Sequence, residues 1–222
     1  MQTVSRLALI SSLLLTALAA HAAAPAPSAS DVLARVERRL AAVEDYSYVL
    51  ESEVRGPKKR SHGTYQIWVR KPNLFRLKVQ RGQNEGSEIA VTPRGTVDAR
   101  PGGLLKHLVT KSMDKHDPRL RSPRGAYAWE STFSHFCSRL RQSLGRAGSA
   151  STAPASGSKQ LAVTLSYRHP QSGRAMRETW TVDSGDWKLT GFDVWEDGVQ
   201  VEKCRLKDCR LNLGLKEKFF DL

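Results

Sequence analysis

The chain lacks most of the groups that perform covalent chemistry. It has three cysteines in 222 residues, too few for a disulfide scaffold and not at the spacing of a metal site. No G-x-S-x-G turn occurs, so there is no hydrolase-type nucleophile elbow, and no glycine-rich phosphate loop is present. Of the histidines, His62, His107, His116, His135 and His169 are scattered. His107, Asp114, His116 and Asp117 lie near one another in sequence, but a His-x8-His interval is not a recurring ligand pattern. Glu51 and Glu53 share one face of a strand, where paired acids are usually surface groups. These absences predict no enzyme, no cofactor and no metal. Acids are scarce as well, 22 against 35 Lys and Arg, for a formal net charge of +13.

Long apolar runs are also missing, with one short exception. Arg6 precedes Leu7 to Ala20, a run of fewer than the roughly 20 residues a bilayer span needs, and small residues follow. A basic start, a short apolar core and a small-residue cleavage site near Ala22 to Ala24 describe a secretory signal peptide over 1–24. The expectation is an exported, periplasmic, monomeric protein whose single domain covers 25–222. Removing the leader takes away Arg6 and no acid, so +13 becomes +12. So basic a chain suggests nucleic acid, but export excludes that partner. Anionic lipid, lipopolysaccharide, peptidoglycan and an acidic protein remain, beside a generally basic surface with no partner.

What is present is strand pattern. In Gly63 to Gln80, Tyr65, Ile67 and Val69 alternate with Gln66, Trp68 and Arg70, and after Lys71-Pro72-Asn73 come Phe75, Leu77 and Val79 alternating with Arg76, Lys78 and Gln80. Successive strand side chains point to opposite faces, so this is an antiparallel hairpin with one apolar and one cationic face. Before it, Val32, Leu33, Val36, Leu40 and Val43 recur at helical spacing, with Ser30 as a candidate cap. Tyr46, Tyr48, Leu50 and Val54 then mark a first strand. Short strands are expected at Ser87 to Thr92 and on to Ala99, and a short helix at Leu104 to Val109. A loop is expected over Asp114 to Gly125. A second helix spans Trp129 to Leu144, started by Ser131 or Thr132 and stopped by Gly145. The small, polar stretch 145–159 reads as a flexible insertion. From Leu161 the period returns to two, through Leu165, Trp180 and the Asp197-Gly198 turn.

Eight or more antiparallel strands and two main helices make a mainly β (α+β) chain. A sheet of that size curls, and its concave apolar face must be covered or used. The expected fold is a curved antiparallel sheet, an incomplete barrel around two or three helices.

The hairpin carries a resemblance. Gly63, Arg70, Pro72, Phe75 and Arg76, following a helix and a strand, resemble the signature of the LolA/LolB-like superfamily of periplasmic lipoprotein carriers. The stretch from Trp187 resembles the secreted bacterial family "domain of unknown function 1571" through Trp195, Asp197-Gly198, Asp208, Leu211-Asn212-x-Gly214-Leu215 and Phe220-Asp221. The resemblance implies an incomplete barrel that holds acyl chains in its concavity and brings no catalytic residues. The region Trp129 to Lys159 departs from the carriers, as do Cys204 and Cys209.

On this basis the expected cavity wall is Tyr48, Leu50, Ile67, Val69, Phe75, Leu77, Leu165 and Trp180, and the expected ligand is a lipid or lipoprotein acyl chain. Lys58, Lys59, Arg60, Arg70, Lys71 and Arg76 form the expected basic rim, facing anionic headgroups or membrane. The alternative is that the helices fill the concavity, leaving an envelope structural or interaction protein with no ligand. Cys204 and Cys209 are either a disulfide, which would need a bulge or turn at Lys207-Asp208, or two unpaired small hydrophobes.

Overall fold

The computed structural model describes residues 26–103, 109–155 and 159–222. The leader lies outside them, and so do Leu104, Leu105, His107 and Leu108. Eleven strands form one antiparallel sheet: β1 (Asp45–Arg55), β2 (Arg60–Arg70), β3 (Leu74–Gly82), β4 (Glu88–Val91), β5 (Val97–Arg100), β6 (Lys111–Met113), β7 (Ser149–Pro154), β8 (Gln160–Arg168), β9 (Ala175–Asp183), β10 (Lys188–Glu196) and β11 (Val199–Leu211). Their order is β6-β5-β4-β3-β2-β1-β11-β10-β9-β8-β7. Two meanders thus meet where β1 pairs with β11, and the sheet stays curved and unclosed, with β6 and β7 as its edges.

Helix α1 (Ala29–Ala41) starts two residues earlier than Ser30 suggests. Ser28 and Asp31 form a reciprocal capping box, which satisfies the donors at the helix start. Helix α2 (Phe133–Arg146) is capped by Thr132, whose hydroxyl accepts from the His135 N–H. It runs one residue past Gly145, since glycine at a helix end permits a stop without imposing one.

The stretch read as a flexible insertion contains β7, paired along its length with β8. Its Ser, Ala and Thr side chains leave no apolar alternation to read, and Pro154 is tolerated because the strand is an edge. Strand β6 was likewise hidden, being three residues long and half-polar.

Alternate residues of β1 to β3 and β8 to β11 meet both helices in one core. Trp180 stacks on Phe192 at 4.6 Å, Phe136 of α2 meets Phe192 at 5.3 Å, and Phe133 sits 4.8 Å from Tyr46. The helix-covered face is therefore the concave one, and Ser47, Val49, Glu51, Gln66 and Trp68 belong to the outer face.

The C-terminal segment after β11 folds back over the sheet. The buried Asp45 carboxylate accepts the backbone N–H of Leu213 and, at 2.8 Å, of Leu215. The Asn212 side chain accepts the Glu44 N–H at 3.0 Å. Arg70 donates to the Leu215 carbonyl at 2.9 Å and Arg76 to that of Phe219 at 2.6 Å. The two stretches that carry the family resemblance are thus bonded to each other: the arginines of the hairpin hold the closing segment. Gly63 has a steric reason too, since a Cβ there would sit 2.9 Å from the Arg81 carbonyl oxygen.

Candidate functional site

All eight expected wall residues lie on the concave face. Tyr48, Ile67, Leu165 and Trp180 are fully buried, and Leu50, Val69, Phe75 and Leu77 are no more than 6% exposed. They touch one another across the strands and are covered by the apolar stripes of α1 and α2. In this closed arrangement side chains of the helices occupy the concavity.

The helices are held over the sheet by few polar contacts. The Phe133 N–H donates to the Tyr46 hydroxyl at 3.0 Å, and the Tyr48 hydroxyl donates to the Ser131 carbonyl. Burial pushes both phenols well above the usual tyrosine range. Arg141 of α2 pairs with Glu37 of α1 on the surface. Arg139 reaches down from α2 to Glu202 of β11 at 2.8 Å, its guanidinium 4.9 Å from the Phe192 ring centre. Burial alone would lower the Arg139 pKa, but the carboxylates of Glu202 and Glu178 overcome it and raise it.

Glu178 is the unexpected member of this face. It is 2% exposed and accepts from the Tyr167 hydroxyl and from the Trp180 indole N–H, each at 2.8 Å. A buried carboxylate is tolerated when its lone pairs are occupied and a cation lies near, and Arg139 supplies the charge. Sequence reading missed this group. The available signal was Glu178 standing in phase between Met176 and Trp180, where an apolar residue is due.

The expected rim divides. Lys58 and Lys59 are exposed on the β1–β2 connection and Arg60 is exposed at the start of β2. The other three are structural: Arg70 and Arg76 hold the C-terminal segment, Arg76 also pairs with Glu88, and the Lys71 ammonium donates to the Leu40 carbonyl at the end of α1. The structure does not bring the six together as one rim.

Of the two readings of Cys204 and Cys209, that of two unpaired small hydrophobes holds. A bulge does occur at Asp208, whose φ is 51°, and it shifts the strand phase so that Cys204 and Cys209 both face the core. They nonetheless remain free thiols. Five strand residues at about 3.3 Å each hold them far beyond the roughly 7 Å Cα limit for a bond. Burial pushes the Cys204 thiol up to about 12 and that of Cys209 up to about 11, as expected for small core hydrophobes.

By sequence the chain matches no protein-family model and no curated protein. By structure it is similar to MucB, with 16% identity and a TM-score of 0.51 over 87% of this chain and 62% of that one. It is also similar to the Mycobacterium tuberculosis lipoprotein LppX, with 10% identity and a TM-score of 0.50 over 86% and 99% of the two chains. A LolA superfamily protein from Nitrosomonas europaea aligns over 89% and 99%, at 9% identity and a TM-score of 0.43. MucB has also been solved in complex with MucA(peri). This chain thus spans about three fifths of MucB's length. At such identities the likeness is one of fold, that of a curved, unclosed antiparallel sheet covered by two helices.

Proposed function

We propose that the protein is an exported, non-catalytic carrier that takes lipid or lipoprotein acyl chains against the concave face of its sheet, and that it belongs with the secreted family named by its closing motif. The observation that carries this reading is the construction of that face. An apolar surface running from β3 to β8, interrupted by the Glu178 carboxylate, is covered by two separate helices, not by a second sheet, and α2 is held by a handful of polar contacts. Displacing α2 uncovers Phe133, Phe136 and Leu140, which at about 2–3 kcal/mol each costs on the order of 7 kcal/mol. An acyl chain of about 14 methylenes returns about 0.8 kcal/mol per buried CH₂, roughly 11 kcal/mol. Breaking the Arg139–Glu202 pair adds about 3–5 kcal/mol, so exchange of helix for chain is close to balance and reversible. The exposed Lys58, Lys59 and Arg60 suit an anionic membrane donor or acceptor.

A second reading has its own support. The eight wall residues are buried as closely as any core, which favours an envelope interaction protein with a filled concavity and no ligand. Titration with a fluorescent fatty acid that accepts energy from tryptophan separates the two. The carrier reading expects saturable transfer that is diminished in Trp180→Phe. Transfer that never saturates, or that is indifferent to this substitution, supports the filled core.

A further inference from the structure

The concave face changes character near the β10–β11 turn. Glu178 of β9 and Glu202 of β11 both lie opposite Val194 of β10, so the two acids flank one buried valine at the same level of the sheet. Two strand spacings, about 10 Å, separate their backbones. Glu196, at the end of β10 and in phase with Val194, adds a third carboxylate. The neighbouring strand arginines belong to the outer face: Arg177 lies 4.2 Å from the Trp195 ring centre, and Arg205 pairs with Asp193 at 2.7 Å. One step further from the turn, Trp180 and Phe192 face each other across β9 and β10 and the apolar surface begins.

The cover supplies the cations that balance these acids. Arg139 of α2 pairs with Glu202 at 2.8 Å, and its guanidinium is 5.7 Å from the Trp180 ring centre and 4.9 Å from that of Phe192. Arg124, on the segment that leads into α2, pairs with Glu196 at 3.2 Å. From the sheet itself only Arg174, in the β8–β9 turn, joins them, 3.0 Å from Glu196. With the cover in place three carboxylates face three arginines. With Arg139 and Arg124 gone, Arg174 alone faces all three.

The consequence rests on the acyl-carrier reading, in which α2 gives way to the ligand. When α2 leaves, Glu202 loses its ion-pair partner, and Glu178 keeps its two hydrogen bonds but loses the nearby cation. Carboxylates left on an apolar face without a counter-charge are costly. A neutral tail leaves that cost in place, and an acidic headgroup adds like-charge repulsion. We propose that Glu178 and Glu202 select the ligand's headgroup: the carrier takes an acyl amphiphile bearing an ammonium group, which occupies the place of the Arg139 guanidinium. The ammonium then lies near the β10–β11 turn, and the tail runs past Trp180 and Phe192 toward Tyr48. This preference runs against the formal net charge of +13, since long-range attraction to so basic a chain favours an anionic amphiphile.

The test compares three amphiphiles with the same tail, dodecylamine, dodecanol and dodecanoate, each kept below its micelle concentration. The readout is the Trp180 indole resonance of the ¹⁵N-labelled protein, identified by its loss in Trp180→Phe. That N–H donates to Glu178, so it reports on this place and not on adsorption elsewhere. The expected result is a saturable shift with dodecylamine at about tenfold tighter binding than either of the others, the fold-change of one charge-assisted hydrogen bond. In Glu178→Gln, which keeps an acceptor for the indole, the preference for the amine should shrink toward parity. Saturable binding of all three with equal affinity, or tighter binding of dodecanoate, overturns the headgroup assignment and leaves the carrier reading standing. A preference undiminished in Glu178→Gln also overturns the assignment. No saturable shift with any of them overturns both.

Discussion

The two faces of the sheet are made from the same strands and obey opposite rules. Along β1, Tyr46, Tyr48 and Leu50 point inward to the helices, while Ser47, Val49 and Glu51 point outward, away from them. The inner face has one solution, a largely apolar surface on which Glu178, Tyr46 and Tyr48 are hydrogen-bonded and the Thr152 hydroxyl is not. The outer face tolerates variety, because solvent satisfies whatever the protein does not. Energy is therefore concentrated inside, and substitutions on the two faces should differ sharply in what they change.

The largest contrast should come from truncation. Trp180→Ala empties the centre of the inner face and should cost about 3–5 kcal/mol in urea unfolding, whereas Arg210→Ala on the outer face should stay within about 0.5 kcal/mol. Comparable losses would erase the distinction. Next is the buried carboxylate. Glu178→Leu leaves the Tyr167 O–H and the Trp180 N–H without an acceptor, an expected loss of about 3 kcal/mol, while Glu178→Gln keeps an acceptor and should lose about 1 kcal/mol.

Much of the inner face could be read in advance. The period-two runs placed all eight wall residues inside, and the helical spacing of Val32 to Leu40 and of Phe133 to Leu140 identified what covers them. The features that escaped break periodicity or act at a distance. Strand β7 has no apolar alternation. The bulge at Gln80 shifts the phase without a compositional mark. Arg70, Arg76 and Asp45 hold a segment well over a hundred residues away, and a charge in a strand pattern cannot announce a partner so remote. For the cysteines the strand distance was legible and the face was not: parity alone sets Cys204 and Cys209 on opposite faces, and the bulge at Asp208 brings both to the core.

Asp45 provides a smaller test on the outer side. Asp45→Ala removes the acceptor of two backbone amides and should cost about 2 kcal/mol, with faster hydrogen exchange at Leu213 and Leu215 than at core amides. If those amides exchange at the wild-type rate, the closing segment is held by other contacts.

The smallest expected effect is from pH. His135, at the start of α2, is held below its ordinary value near 6.5 chiefly by burial. The unfolded chain then binds a proton before the folded one does, so stability falls as pH drops below about 6.5. Because the imidazole is only half-buried, the fall should be slight. His135→Gln should flatten it, and an unchanged slope would assign the pH response to other groups.

The central claim is that the concave face exchanges its helix for an acyl chain. Protein made in its own host, purified without detergent and extracted with organic solvent for mass spectrometry, tests it directly. The account predicts near-stoichiometric acyl lipid or lipoprotein chain in the extract. An extract free of lipid, from protein that is folded, would contradict it and leave the concavity as a filled core.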